Sequence, residues 1–193
     1  MANIVVNTTS PMAGRRLNRD VNRLLAAGYH TVIDDDMTNL DVRLEGPMGT
    51  AYEGGVWTVN VSMPQEYPLK APRLRFVTKI LHPNIEFTTG LVCMNVFKQA
   101  WSANYDLVNI FETFLPQLLR HPNPHDPLNH HAAAIMKRSE QDFRESVSMF
   151  LRMYALPIAL PGQSQDTENL EKRSSDLSLS DLLSDDDNDD DDD

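Results

Sequence analysis

In three runs between Leu40 and Val77 apolar side chains recur at every second residue, with turn-forming segments between the runs. Leu40, Val42 and Leu44 alternate with Asp41, Arg43 and Glu45. Beyond the turn Gly46-Pro47-Met48-Gly49, the residues Trp57, Val59, Val61 and Met63 repeat the pattern, and Arg73 to Val77 makes a third run after Pro64 and Pro68. A period of two turns one face of each strand to a core and the other to water. Short connections join antiparallel neighbours, because parallel strands need a crossover of a dozen or more residues. Thr31 to Ile33 adds a short strand ahead of these, turning at Asp34-Asp35-Asp36. The expectation is a four-stranded antiparallel meander.

Helical spacing flanks it. From Met12 to Ala27, Leu17, Val21, Leu24 and Leu25 predict one apolar face, Arg15, Arg16, Arg19 and Arg23 the other, and Gly28 the stop. Asp106 is placed to cap a helix bearing Leu107, Ile110, Phe111, Phe114, Leu115 and Leu118. Within it Pro116 should kink the axis or open one hydrogen bond. His121 to Pro127 holds three prolines and predicts a rigid loop. Helix resumes around Asn129 to Met136 and again from Ser139, where Ser139 and Asp142 predict a capping box before Phe143, Val147, Phe150, Leu151 and Tyr154. One N-terminal and several C-terminal helices on such a sheet make an α+β fold.

Charge divides the chain. Of 28 acidic residues, 13 lie from Asp166 to Asp193, against only Lys172 and Arg173, so that segment alone carries the net charge of −11. Residues 1–11 predict a flexible lead-in, 12–157 the folded domain, and 158–193 a disordered acidic tail too poor in apolar residues to order itself. Leu177, Leu179, Leu182 and Leu183 are apolar points in that tail suited to docking. A neutral body with an anionic appendage argues against a direct grip on nucleic acid. No run approaches the roughly 20 apolar residues of a membrane-spanning helix, and the start lacks the order of a secretory signal. A single cysteine makes no internal disulfide, which suits the reducing cytoplasm or nucleus. The histidines, including His130 and His131, lack partners at ligand spacing, so neither metal nor cofactor is expected.

From Leu81 to Tyr105 no period holds, and long ordered loops tend to be functional. The stretch contains Cys93. Taken alone, a cysteine beside Val92 and Met94 reads as a small buried hydrophobe. Its surroundings change that reading. Tyr52-Glu53-Gly54-Gly55-Val56-Trp57, the run Pro64 to Pro72, His82-Pro83-Asn84-Ile85, Gly90-Leu91-Val92-Cys93 and Trp101-Ser102 follow in one order. Together these segments resemble the ubiquitin-conjugating enzymes over roughly residues 12–155.

The resemblance implies the family's fold, a four-stranded antiparallel sheet with one N-terminal and several C-terminal helices. It also implies that Cys93 accepts ubiquitin as a thioester from an activating enzyme and passes it, with a ligase, to a substrate lysine. A thiolate both attacks and leaves well, as an acyl carrier requires. Aminolysis builds negative charge on oxygen, which a neutral amide such as Asn84 is suited to stabilise; Asn84 is equally suited to satisfy backbone groups in a turn. His82 and Pro83 read as supports of the loop. By resemblance, Asp126 positions the incoming lysine, and Arg15, Arg16, Met63, Pro64, Trp101, Ser102 and Ala103, with Asn104, form the partner-docking surface. Met63 also continues the buried alternation of its strand. The family often carries Asp two residues after the cysteine, where this chain has Asn95. Alternative readings are therefore a carrier of a ubiquitin-like modifier, or a non-catalytic variant binding ubiquitin or a ligase. The tail, with Phe111 to Leu119, is similar to the acidic-tailed, histone-ubiquitinating branch, which implies histones or other basic substrates as partners. Ser180 and Ser184, each followed by acids, are candidate phosphorylation sites.

Overall fold

The computed structural model describes residues 11–95, 97 and 101–156; the expected tail, with its phosphorylation and docking points, lies outside these, as does the expected lead-in except for Pro11, which is helical.

Helix α1 spans Pro11–Ala26. It ends where expected: Gly28, at φ +87°, donates to Leu25 O while Tyr29 donates to Leu24 O, a pair of bonds that needs a residue in the left-handed region. Leu17, Val21 and Leu24 are buried, but Leu25 is 44% exposed and belongs to neither face cleanly. The residue that joins the buried face instead is Asp20.

The four strands are β1 (Thr31–Ile33), β2 (Asn39–Glu45), β3 (Val56–Ser62) and β4 (Arg73–Phe76), antiparallel in chain order. Register follows the alternation: Leu40 faces Val61, Val42 faces Val59 and Leu44 faces Trp57 across β2 and β3. Leu74 and Phe76 continue two of those rows on β4. All of these are buried, so this face closes the core while Arg43, Arg73 and Arg75 face water.

Helix α2 covers residues 107–120 and changes pitch along its length. Asp106 caps it through Asn109 N–H, and Asn109 Oδ1 accepts from Asp106 N–H in return. The turn Ile110–Phe114 is π-helical, with Leu115 N–H donating to Ile110 O, before α-geometry resumes over Leu115–Arg120. Pro116 falls in the first turn of that resumed segment, where its missing N–H costs little. The expected interruption is thus a widened turn one residue ahead of the proline's ring. Helix α3 (His130–Arg138) is capped by Asn129, and α4 (Glu140–Phe150) by Ser139. The capping box at Ser139 is half formed. Its Oγ accepts Asp142 N–H and donates to the Asp142 carboxylate, but its own N–H is taken by Ile135 O.

Candidate active site

Cys93 is positioned by main-chain bonds on both sides. Val92 N–H donates to Leu74 O at 3.0 Å, which docks the segment on β4, and Cys93 N–H donates to Asn84 O at 3.0 Å. Gly90 makes the approach possible: at φ +74° its carbonyl accepts Phe76 N–H, and a Cβ there would sit 2.0 Å from Phe76 O. After Cys93 the chain coils, with Phe97 N–H on Cys93 O and Trp101 N–H on Phe97 O. The cysteine is 6% exposed, so the small-buried-residue reading and a site reading both fit its burial.

His82 and Pro83 are each bonded to neighbouring segments. Asn84 N–H donates to His82 Nδ1 at 3.0 Å, which leaves the proton on Nε2, where it donates to Leu118 O at 3.0 Å. Burial holds this imidazole down at about 4, against an ordinary 6.5. With both nitrogens committed and the ring neutral, His82 is a strut between the loop and α2 and offers no base. Pro83 O accepts N–H from both Leu128 and Asn129.

Asn84 is fully buried, and its amide is bonded to the loop that holds Asn123 and Asp126. Nδ2 donates to Asn123 O at 2.8 Å and Asp126 O at 3.1 Å, while Oδ1 accepts Asn123 N–H at 2.8 Å. Both donor hydrogens are used, so the expected oxyanion donor is committed to the loop, and its turn-satisfying role is the one this geometry displays. Asp126 O accepts from Asn84 Nδ2, and the Asp126 side chain is exposed. Asn95 is exposed two residues past Cys93.

The expected docking residues divide. Arg15 is exposed, with no acidic partner among the described residues. Arg16 is a structural tie: it pairs with Asp20 at 2.6 Å and donates to Tyr105 O at 2.6 Å. Met63 is 9% exposed and packs in the core, as the strand alternation predicts. Trp101 is half-buried against Tyr67 and Phe97, with Nε1 donating to Pro68 O. Pro64, Ser102 and Ala103 are partly open and Asn104 is exposed. What sequence reasoning missed is Asp20, fully buried, accepting from Arg16, Arg19 and the Tyr67 hydroxyl. Its signal was an acid at helical spacing from Leu17 and Leu24, opposite arginines. Arg23 likewise pairs with Asp106 at 2.6 Å, tying α1 to the cap of α2. No group of three or more acidic, histidine or cysteine side chains among the described residues could hold a metal ion.

Residues 16–151 match the family model described as ubiquitin-conjugating enzyme. The chain is 44% identical over 168 residues to ubiquitin-conjugating enzyme E2 5 of Arabidopsis thaliana, covering 86% of each. It is 41% identical over 142 residues to ubiquitin-conjugating enzyme E2-24 kDa of Saccharomyces cerevisiae, covering 73% of this chain and 65% of that one. The ubiquitin-conjugating enzyme E2 domain of Toxoplasma gondii superposes with a TM-score of 0.67 at 30% identity, over 73% of this chain and 97% of that one.

Proposed function

The chain belongs to the ubiquitin-conjugating enzymes, and on that premise we propose that Cys93 is the thiol that carries ubiquitin and releases it to a lysine. The observation that carries this assignment is the bond from Cys93 N–H to Asn84 O, which sets the chain's one cysteine against the buried His82-Pro83-Asn84 strut. Ubiquitin, its activating enzyme and a ligase are the partners of such an enzyme, and the names of the relatives favour ubiquitin over a ubiquitin-like modifier. The presence of Cys93 itself argues against a purely binding variant.

Within that activity each residue has a task. Cys93 thiolate attacks the activated carboxyl end of ubiquitin and later departs from the tetrahedral adduct. Asn84 serves by fixing the loop of residues 123–129 beside the thiol, so that Asp126 meets the incoming lysine at a defined place. Arg15, Pro64, Ser102, Ala103 and Asn104 remain as the exposed part of the docking surface, with Arg16, Met63 and Trp101 holding it in shape. The acidic segment recruits basic substrates such as histones, marking them or directing them to degradation in cytoplasm and nucleus.

Mixing the protein with ubiquitin, activating enzyme and ATP, then running a non-reducing gel, tests the carrier step. A shifted band that reductant removes and Cys93→Ala lacks is the expected result. A band that survives Cys93→Ala would move the carrier to another residue.

A further inference from the structure

We infer that the imidazole of His125 takes the proton from the attacking lysine, beside the Asp126 carboxylate, on a loop that Asn84 ties to Cys93. The inference rests on the carrier reading of Cys93 and goes one step past it. A substrate lysine arrives as an ammonium and cannot attack until one proton has left. The groups nearest the thiol in the hydrogen-bonded framework are mostly unable to take it. His82 is buried with both ring nitrogens engaged. Asn84 donates both amide hydrogens inward. Asn95, where a carboxylate is common in the family, is a neutral amide.

His125 and Asp126 differ from all of these. Their main chains are pinned: His125 N–H donates to Asn123 Oδ1 at 3.0 Å, and Asp126 O accepts from Asn84 Nδ2. Asn84 O in turn holds Cys93 N–H, so one residue separates the loop from the thiol's main chain. Their side chains are exposed, and neither ring nitrogen nor carboxylate oxygen has a hydrogen-bond partner among the described residues. A fixed anchor with an uncommitted lone pair is what a proton acceptor requires. Imidazole offers a basic ring nitrogen, whereas a carboxylate is the better attractor of a cation. The other titratable or charged groups on this stretch are exposed Arg120 and His121 at the end of α2 and His130 and His131 at the start of α3. Asp126 is the one anion among them, and it draws the ammonium toward His125.

The step balances without any further reagent. One ammonium proton passes to the free ring nitrogen of His125. The amine lone pair then forms the C–N bond to the thioester carbon, and the carbonyl pair moves onto oxygen. Collapse restores the C=O bond and breaks C–S, with the electron pair leaving on Cys93 Sγ as thiolate. The second N–H proton and the imidazolium proton pass to water.

The test preloads the full chain with ubiquitin, quenches the activating enzyme, and follows discharge to free lysine from about pH 5.5 to 8. Wild type is compared with His125→Gln and with His30→Gln, an exposed histidine just ahead of β1. Dividing the wild-type rate by each variant's rate cancels the ionisation of the lysine itself. For His125→Gln the ratio should rise with pH across this range, to about tenfold or more at its upper end. For His30→Gln it should stay flat at one. A flat ratio for His125→Gln overturns the inference, whether the constant is one or larger, since a constant deficit means the side chain only shapes the loop. A wild-type chain that never loads would sink the reading of Cys93 as carrier, and this inference with it.

Discussion

His82 is the residue whose environment most changes its chemistry. The native state keeps its ring neutral and buried at about 4, while the unfolded chain protonates it at the ordinary 6.5. The difference corresponds to roughly 3 kcal/mol of stability at neutral pH. Because the unfolded state binds the proton more readily, that contribution is complete above about pH 6.5 and fades as pH falls toward 4. Urea midpoints for wild type and His82→Gln should therefore converge between pH 7 and 4.5, with the wild type losing more. Parallel losses would assign the acid sensitivity in that window to other groups; Glu86, which the Thr89 hydroxyl and the N–H groups of Thr88 and Thr89 hold down at about 2, acts only below it. The candidate site could be picked out because His82-Pro83-Asn84 precedes Cys93 by nine to eleven residues in one motif. Asn84's commitment was not, since its partners lie 39 and 42 positions away and nothing in a local pattern reports which way an amide turns. Asp20 was hidden for the same reason: its donors come from its own helix and from Tyr67, 47 residues on.

At the scale of elements, the strands read correctly from their period because register and burial are the same information in a half-buried sheet. Helix α2 shows where period alone stops. Its apolar residues predict one continuous helix, and Pro116 predicts trouble within it. The structure meets both by widening one turn, Ile110–Phe114, so that α-geometry restarts at Leu115 and the proline stands in a first turn. A proline in a helix interior costs about 3 kcal/mol, while one in a first turn costs little. Pro116→Ala should accordingly change the free energy of unfolding by less than about 1 kcal/mol. A gain near 3 kcal/mol would mean that the π-helical turn is strain imposed by the proline. α2 also carries the contact that His82 uses, Leu118 O, so its pitch bears on the active-site loop as well as on the core. The docking surface belongs to this scale too. Arg16, Asp20, Tyr67 and Trp101 link α1, the turn after Pro64 and the 101–105 segment by side-chain bonds and ring contacts. Of the residues that resemblance marks for partners, Arg16, Met63 and Trp101 are tied into this framework, while Arg15, Pro64, Ser102, Ala103 and Asn104 are open or partly open.

The whole molecule separates its charge from its catalytic fold. All of the net −11 resides from Asp166 onward, and the preceding residues balance acid with base. A neutral body has little long-range pull on a basic protein, so on the proposed reading recruitment of such a substrate would fall to the acidic segment. Charge attraction of that kind is screened within about 8 Å at physiological salt and about 3 Å at 1 M. Removing residues 166–193 should leave thioester formation at Cys93 unchanged, because Cys93 is held by Asn84 O in the 82–84 strut and its neighbour Val92 by Leu74 O. Transfer from the loaded chain to a histone should fall by about tenfold at low salt, with the full-length and shortened chains converging as salt rises. Equal rates at every salt concentration would remove the segment from substrate choice. A deficit that persists undiminished at high salt would instead assign recruitment to Leu177, Leu179, Leu182 and Leu183, since apolar contacts are not weakened by screening.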